Sequence, residues 1–514
     1  MSDTAAALPG TALRYGTGAG RWVILATVLG SGITALDSTV VGIGLPAIGK
    51  EFHIGVDGLQ WTVNAYTVTL AGLLLLGGSL GDRFGRRRVF LIGVVWFAVA
   101  SLLCGIAPNA PTLVIARALQ GVGGALLMPG SLAILEASFA DGDRARAIGA
   151  WSGLGGVATA IGPFVGGYLI NAVSWRLIFY INLPLAAAVI VIALRHVPES
   201  RDPRAAKSSD VTGAALAALG LAGVTYGLTE GPTHGWNSAA VLGSLFAGVL
   251  ALALFLLVEA RGRAPMMPLG VFRSRQFSAA NAVTFIVYAA LGGALFLVPV
   301  VLQSGAGYSP LQAGVSLLPI TAIMLAFSAR SAALSARIGP RLQMSVGPIV
   351  VAGGMALFTL VGTGGDYFTE VLPPVLLLAA GLAITVAPLT ATALSAAPPE
   401  HAGVASAVNN TVARSGTLIA VAVLPAAAAI TGTSYLHPAE LVAGFHTAVL
   451  VAAVACAAGG VLAALTIRNR PAADRRPAAT HHHSCPLDGP PQHADRGSVV
   501  VDELLRRPLA DRDG

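Results

Sequence analysis

The chain has 514 residues, of which 55% are hydrophobic and only 11% are charged. Water-soluble domains carry about 25% charged residues, so this composition excludes an ordinary soluble enzyme or binding domain and indicates a protein that lies in lipid. The formal net charge of +7 does not indicate a nucleic-acid partner, because the basic residues form no stripe with interleaved aromatic residues.

Fourteen apolar segments of the sequence are long enough to cross a bilayer, which takes about 20 residues for about 30 Å of hydrocarbon. We therefore predict an all-α membrane protein with fourteen transmembrane helices. The first segment is too long for a cleaved signal peptide, so we expect it to be retained. The segments lie at 22–46, 59–80, 89–107, 112–138, 147–171, 175–194, 210–230, 238–258, 277–302, 311–336, 342–363, 371–395, 403–430 and 440–467.

The positions of the basic residues indicate the orientation of these segments. If the N-terminus lies in the cytoplasm, almost every basic residue outside the spans falls on the cytoplasmic side, and only Lys50 and Arg176 fall on the other side. We therefore predict that both termini are cytoplasmic. Lys50 and Lys207 are the only lysines among the basic residues, a bias that favours a GC-rich bacterial genome and hence a bacterial inner membrane.

Two ionisable residues lie at the same depth in the first half of the chain. Asp37 belongs to the first segment and Arg117 to the fourth. With a rise of 1.5 Å per residue, each lies roughly 8 Å from the outer end of its helix. A charge in hydrocarbon costs about 2.5 to 3.5 kcal/mol on insertion scales, so each of them needs a partner or a function.

The turn between the second and third segments, GSLGDRFGRRRV, combines one acid with four arginines. Glycines at 77, 81 and 85 leave one helix face free for the close approach of another backbone. Asp82 is expected to accept N–H groups at the start of the third helix or to pair with an arginine. We predict that this turn joins two helix bundles on the inner face; the alternative is that its arginines only enforce topology. The predicted latch consists of Gly81, Asp82, Arg83, Gly85, Arg86 and Arg87.

The fifth segment contains GPFVGG, which runs from Gly162 to Gly167. Gly162 and Gly166 lie on one helix face with Pro163 beside them, so a neighbouring helix can pack closely where the proline bends the rod. We predict a gate at Gly162, Pro163, Gly166 and Gly167. Ordinary packing of small residues between membrane helices is the alternative.

An internal repeat relates the two halves of the chain. LGDRFGRRRVFLIG, from Leu80, recurs as LSARIGPRLQMSVG, from Leu334, and each copy follows an even-numbered segment on the inner side. The repeat favours two related six-helix bundles with segments seven and eight as an insert. The predicted divisions are a cytoplasmic N-terminus (1–21), a first bundle (22–194), inner loops with the insert (195–276), a second bundle (277–467) and a disordered cytoplasmic tail (468–514).

Three further ionisable residues lie in or near the later segments. Arg414 is about 16 Å along the thirteenth segment, near mid-membrane, where it would bind substrate, a backbone carbonyl or the end of a half-helix. Arg330 lies at the cytoplasmic end of the tenth segment, where we expect it to snorkel to the headgroups. Glu230 lies near the end of the seventh segment, where we expect it to face water.

Five motifs are similar to those of a known family. The chain resembles the major facilitator superfamily over residues 22–467 and, within it, the fourteen-span drug:proton antiporters. The motifs are LDSTVVGIGLPAI from Leu36, GGSLGDRFGRRR from Gly77, RALQGVGGAL from Arg117, GPFVGG from Gly162 and WRLIFYINLP from Trp175.

The resemblance implies a central cavity lined by the first and fourth spans, which makes Asp37 and Arg117 a candidate ion pair near the transport path. Our hypothesis is that protonation of Asp37 loosens this pair and shifts the balance between inward-open and outward-open states. A static pair that fixes helix register is the alternative. The resemblance also implies that GPFVGG seals the outer side against proton leak and that Arg414 has a structural or gating role.

These features predict a proton-coupled exporter of a hydrophobic, aromatic drug or antibiotic. One clear acid against two deep arginines disfavours a divalent organic cation as the substrate. The sequence contains no P-loop, zinc-protease or nucleophile-elbow motif, so we expect no cofactor and a proton gradient as the energy source. The expected partners are the substrate, protons and membrane lipid, without nucleic acid. A proton-linked importer of a metabolite and, less favoured, a non-transporting receptor are the alternatives.

Overall fold

The computed structural model describes residues 13–202, 210–262, 265–397 and 402–469. The predicted tail at 468–514 therefore lies outside the described residues except for its first two positions. Most of the predicted N-terminal segment, 1–21, lies outside them as well.

Fourteen helices in the described part of the chain are long and apolar enough to cross a membrane, and no β-strand forms there. The predicted all-α fold with fourteen spans is thereby confirmed. The helices are α1 Gly18–Phe52, α2 Val56–Phe84, α3 Arg86–Gly105, α4 Ala110–Ser138, α5 Gly142–Ala172, α6 Leu177–His196, α7 Val211–His234, α8 Ala239–Arg261, α9 Arg275–Gly305, α10 Pro310–Ile338, α11 Pro340–Leu360, α12 Tyr367–Ser395, α13 Gly403–Ala427 and α14 Pro438–Thr466.

The chain reverses direction from one span to the next, so every second helix runs in the opposite direction. We call the side where α1 begins and α14 ends the near face, and the opposite side the far face. The repeated sequence motif forms the same kind of turn in both halves of the near face. Gly85, between α2 and α3, and Gly339, between α10 and α11, have φ values of 114° and 88°. Both lie in a region that glycine adopts readily and other residues rarely adopt, which explains the glycine in each copy.

The helices α1–α6 and α9–α14 form two bundles with the same internal packing order. In the first bundle α4 packs on α2 and α3, and α1 packs on α5 and α6. In the second bundle α12 packs on α10 and α11, and α9 packs on α13 and α14. Each helix of the first bundle thus has a counterpart eight positions later, as the sequence repeat predicts. The exact domain boundaries stay predictions.

The insert, α7 and α8, lies against the seam where α2 of the first bundle meets α13 of the second. Its α7 is fastened to α2 at the far face, where Trp61 Nε1 donates to Glu230 Oε1 at 2.7 Å. The expectation that Glu230 faces water is therefore wrong: only 8% of the residue is exposed. A carboxylate buried at this depth needs donors, and it obtains them from the Trp61 indole and from His234, whose Nδ1 lies 3.0 Å away.

The two bundles meet on the far face and separate toward the near face. Gln60 Nε2 donates to the carbonyl oxygen of Val421 at 2.7 Å, and Gln303 Nε2 donates to that of Ile43 at 2.9 Å, both in the far half. In the near half, most side chains of α10 are exposed, and a Cβ atom at Gly153, Gly155 or Gly156 of α5 would have no neighbour within 4 Å. The structure is therefore a conformer that is closed on the far face and open on the near face.

Candidate functional site

Asp37 of α1 and Arg117 of α4 form an ion pair in the core of the first bundle. Arg117 Nη1 lies 2.6 Å from Asp37 Oδ2, and the two side chains are 0% and 1% exposed. Charges removed from water to this degree are stable only when each compensates the other and the remaining polar atoms are hydrogen-bonded. The structure thus brings together the two residues paired at the sequence level and encloses them within one bundle.

Two amide side chains complete the environment of the Asp37 carboxylate. Gln120 Nε2 donates to Asp37 Oδ1 at 2.8 Å, and Asn182 Nδ2 donates to the same oxygen at 3.2 Å. Both amides also donate to Ser101 Oγ, at 2.8 and 3.3 Å. The network therefore joins α1, α3, α4 and α6. Sequence reasoning missed these three residues, although Gln120 lies one helical turn after Arg117 and Asn182 lies inside the WRLIFYINLP motif.

Arg117 keeps partners that do not depend on the charge of Asp37. Its Nε donates to the carbonyl oxygen of Thr62 at 3.0 Å, and its Nη1 donates to Gln120 Oε1 at 2.6 Å. Its guanidinium carbon also lies 4.5 Å from the centre of the Tyr66 ring, within the range of a cation–π contact. These three partners of Arg117 are uncharged groups. The role of the ion pair in proton coupling stays a prediction.

At the near face, Asp82 pairs with Arg86 and does not cap α3. Arg86 Nε donates to Asp82 Oδ1 at 2.9 Å. The second and third N–H groups of α3 are instead accepted by Glu199, with Arg87 N at 3.1 Å from Oε1 and Arg88 N at 3.2 Å from Oε2. Of the two roles expected for Asp82, capping is wrong and pairing is observed. The carboxylate of Glu199 reaches the helix start from the linker that follows α6.

That linker lies across the α2–α3 turn. Asp202 N donates to the carbonyl oxygen of Asp82 at 3.0 Å, and Arg86 N donates to that of Ser200 at 2.9 Å. At Gly85 a Cβ atom would lie 2.7 Å from Glu199 Oε1, so the close approach also requires glycine. We call residues 197–202 the strap.

The other members of the predicted latch also make local contacts in this conformer. The Gly81 carbonyl accepts from Gly85 N at 3.0 Å, Arg83 lies over the ring of Phe84, and Arg87 Nη1 donates to the Val197 carbonyl at 3.0 Å. A link from these residues to the second bundle stays a prediction for a conformer that is closed on the near face.

The glycines of α5 mark its closest packing against α1 and α10. A Cβ atom at Gly162 would collide with Thr39 Oγ1, and one at Gly166 would lie 2.7 Å from Val40 Cγ1, both on α1. A Cβ atom at Gly167 would lie 2.5 Å from the Pro310 carbonyl oxygen, on α10 of the second bundle. The contact is reciprocal, because a Cβ atom at Gly314 of α10 would collide with the carbonyl oxygen of Pro163. The GPFVGG segment therefore lies in the closed far half of the seam between bundles.

Arg414 of α13 lies between the bundles at mid-depth. Its Nη2 is 3.2 Å from Met128 Sδ on α4, and its Nε is buried without a hydrogen-bond partner. None of the ion pairs found among the described residues involves Arg414. Its role stays a prediction. Arg330, by contrast, is exposed and lies over the ring of Phe327. That it reaches the headgroups stays a prediction.

Comparisons with known proteins agree with this architecture. The sequence profile of the Major Facilitator Superfamily matches residues 27–421. The tetracenomycin C resistance and export protein of Streptomyces glaucescens is 38% identical over 402 residues, which are 78% of this chain and 74% of that protein. The methylenomycin A resistance protein of Bacillus subtilis is 34% identical over 460 residues, which are 88% of this chain and 96% of that protein.

Solved structures share the fold. A peptide transporter POT crystallised in complex with sulfate superimposes with a TM-score of 0.64, covering 89% of this chain and 98% of that chain. Its sequence identity is only 13%, so the likeness concerns the fold alone.

Proposed function

The chain belongs to the Major Facilitator Superfamily, and on that premise we propose that it is a proton-coupled efflux transporter that exports a hydrophobic, aromatic drug or antibiotic. Its membership and its fourteen spans make it a multi-pass membrane transporter and not an enzyme. Export is supported by its similarity to proteins that are named for resistance to tetracenomycin C, methylenomycin A and puromycin.

The near face is assigned to the cytoplasm of a bacterial cell. The distribution of Lys and Arg supports this orientation, because the basic turn at Arg86 and its neighbours belongs to the near face. Both termini are then cytoplasmic, and the conformer in the structure is open to the compartment from which a drug would be taken.

The buried Asp37–Arg117 pair is the observation that carries the proton-coupling part of the proposal. Among the described residues Asp37 is the one carboxylate of this core, and Arg117 has neutral partners that would remain if Asp37 became protonated. In the cytoplasm-open conformer an ionised Asp37 binds Arg117 and four helices are held together. Proton binding to Asp37 from the outside would weaken that connection, and proton release to the cytoplasm would restore it, so the gradient drives the conformational cycle.

Closure alternates between the two faces in this scheme. The Gln60 and Gln303 hydrogen bonds and the glycine contacts of α5 with α10 close the outer side of the cytoplasm-open conformer. In the outward-open conformer these contacts part, and the turn that contains Asp82 and Arg86 approaches the second bundle. The energy source is the proton gradient, without a cofactor, and membrane lipid surrounds the helices.

Expression in a bacterial strain that lacks its own drug pumps tests this proposal. We expect the protein to raise the inhibitory concentration of at least one of tetracenomycin C, methylenomycin A and puromycin, and a protonophore to abolish the drug efflux. Greater drug accumulation in expressing cells would identify an importer. Efflux that persists after the proton gradient collapses would contradict proton coupling and leave export intact.

A further inference from the structure

Arg414 carries a positive charge that the described part of the protein leaves uncompensated. The other deep arginine, Arg117, is neutralised by Asp37 at 2.6 Å. The titratable side chains whose charge acts on Arg414 are the phenols of Tyr66 and Tyr288, which are neutral at physiological pH. A guanidinium at mid-membrane that forms an ion pair with none of the described acids is costly, and a ligand that supplies a negative charge would remove this cost.

Two polar atoms in this region are without a hydrogen-bond partner. Nε of Arg414 and the hydroxyl group of Tyr66 are both buried and form no hydrogen bond among the described residues. Buried donors without acceptors are rare in native proteins because each costs about 1 to 3 kcal/mol. Arg414 Nε and the Tyr66 hydroxyl can both donate to an oxygen anion, and a carboxylate has two oxygens to accept them.

The position of these donors fits a substrate site. Tyr66 belongs to α2 and Met128 to α4 of the first bundle, while Arg414 and Tyr288 belong to α13 and α9 of the second. The guanidinium therefore lies where the two bundles face each other, and a ligand bound there contacts both. The Tyr66 ring also packs against Arg117, so the same side chain borders this region and the buried carboxylate network.

We propose that Arg414 and Tyr66 form an anion-binding subsite, and that the protein prefers aromatic substrates with one negative charge, such as a carboxylate, over neutral or cationic analogues. This proposal rests on the export function proposed above and names its substrate class. The guanidinium pairs with the anion, the Tyr66 hydroxyl donates to it, and the rings of Tyr66 and Tyr288 pack against the aromatic body. Arg414 binds the substrate from the second bundle and Tyr66 from the first.

A matched pair of probes tests the charge preference directly. 1-Naphthoate and 1-naphthamide differ in charge but hardly in shape, and their binding to the purified full-length protein in lipid nanodiscs can be measured by equilibrium dialysis. We expect the wild-type protein to bind the acid at least about tenfold more tightly than the amide, as a charge-assisted hydrogen bond would give. This comparison requires no substitution and is therefore independent of any folding defect.

Substitutions then locate the preference. Arg414→Gln should bring the two affinities to within about twofold, Arg414→Lys should keep part of the preference, and Tyr66→Phe should reduce it severalfold. The matched control is Arg330→Gln, which removes another arginine of the second bundle and should leave the preference unchanged. Nile red efflux from cells reports the export function separately, because this dye is neutral.

Three outcomes would overturn the subsite. They are equal wild-type binding of the acid and the amide, binding of neither, and a preference that survives in Arg414→Gln. If any of them occurs while Nile red efflux persists, the subsite is wrong and the export function stands. If cells that express the wild-type protein show no Nile red efflux, that result would instead count against the export function.

Discussion

The two bundles share a packing order but hold different polar groups in their cores. The first bundle buries a carboxylate and a guanidinium, Asp37 and Arg117. The second buries a neutral cluster, in which Asn409 Nδ2 donates to Asn281 Oδ1 at 3.1 Å and to Thr284 Oγ1 at 3.0 Å. Each cluster links helices of its own bundle through side-chain hydrogen bonds.

This difference in polar groups suits the two clusters to different roles. Amides and hydroxyls keep their charge state at every pH at which a protein is folded, so the second cluster can only position α9 against α13. A carboxylate is in general titratable, and the proposed proton coupling therefore uses the first cluster. The two bundles share a packing order, and the buried ion pair lies in the core of the first. Four substitutions, taken from the largest expected effect to the smallest, examine this separation.

Asp37→Asn should have the largest effect. The substitution keeps the shape but removes both the titratable group and the ionic partner of Arg117. We expect transport driven by an imposed pH gradient in proteoliposomes to fall by at least about a hundredfold, the effect of losing roughly 3 kcal/mol of coupling. Exchange of labelled for unlabelled substrate without a gradient serves as the control, and it should continue. Unaltered gradient-driven transport would show that the first cluster is as static as the second.

Gly166→Leu should rank second. A side chain there meets Val40 of α1 beside the contact between the bundles, and overpacking of this kind costs about 1 to 3 kcal/mol. If this cost falls on the far-closed conformer, its population relative to the open one changes by about 5- to 150-fold. Efflux should fall while protein abundance in the membrane stays near normal.

Gly155→Leu provides the matched control for the α5 substitution. It lies on the same helix, yet a Cβ atom at Gly155 has no neighbour within 4 Å. We expect efflux close to that of the wild type. Equal loss from both substitutions would mean that α5 tolerates no leucine anywhere, and the seam would then have no special role.

Asn409→Leu should affect stability without affecting coupling. It removes two hydrogen bonds of the neutral cluster, and we expect the free energy of unfolding to drop by about 1 to 3 kcal/mol. The thermal midpoint of the purified protein should fall, while the ratio of transport with and without a pH gradient should not change. A change in this ratio would show that the neutral cluster of the second bundle also takes part in coupling.

Glu199→Gln should have the smallest effect. The amide retains an acceptor for one N–H group at the start of α3 but loses the negative charge that favours a helix N-terminus. We expect a loss of about 0.3 to 1 kcal/mol in stability and a slight change in efflux. Glu440→Gln removes an exposed carboxylate from the first turn of α14 and controls for the general loss of charge at a helix N-terminus, so it should change the thermal midpoint no more than Glu199→Gln does. A large loss of efflux in Glu199→Gln alone would mean that the strap does more than cap α3.

Sequence reasoning predicted the spans and the charged pair because both follow from the cost of placing polar groups in lipid. Apolar length determined the number of helices, and the equal depth of Asp37 and Arg117, together with the family resemblance, indicated their pairing. The repeat around Gly85 and Gly339 predicted the two halves, because a positive φ demands the same residue in each turn.

Long-range partners were beyond the sequence. Glu199 caps α3 from more than a hundred residues away, and Trp61 binds Glu230 across a similar separation. Nothing in the local pattern distinguishes a glutamate that faces water from one that is covered by a neighbouring helix. Gln120 and Asn182 were missed for a related reason. An uncharged amide in a membrane span does not by itself indicate a buried site, and its role can be recognised only once the structure places it beside the charge that it binds.

The attachment of α7 to α2 has a mechanical consequence. Trp61 Nε1 donates to Glu230 at the far end of α7, and farther along the two helices Gly72 of α2 packs directly against Ala218 of α7. Helices α7 and α8 should therefore move together with the first bundle, while α13 moves relative to them. Distances between spin labels on α8 and α3 should stay constant through the cycle, whereas those between α8 and α11 should vary. A label on the insert would therefore report the motion of the second bundle relative to the first.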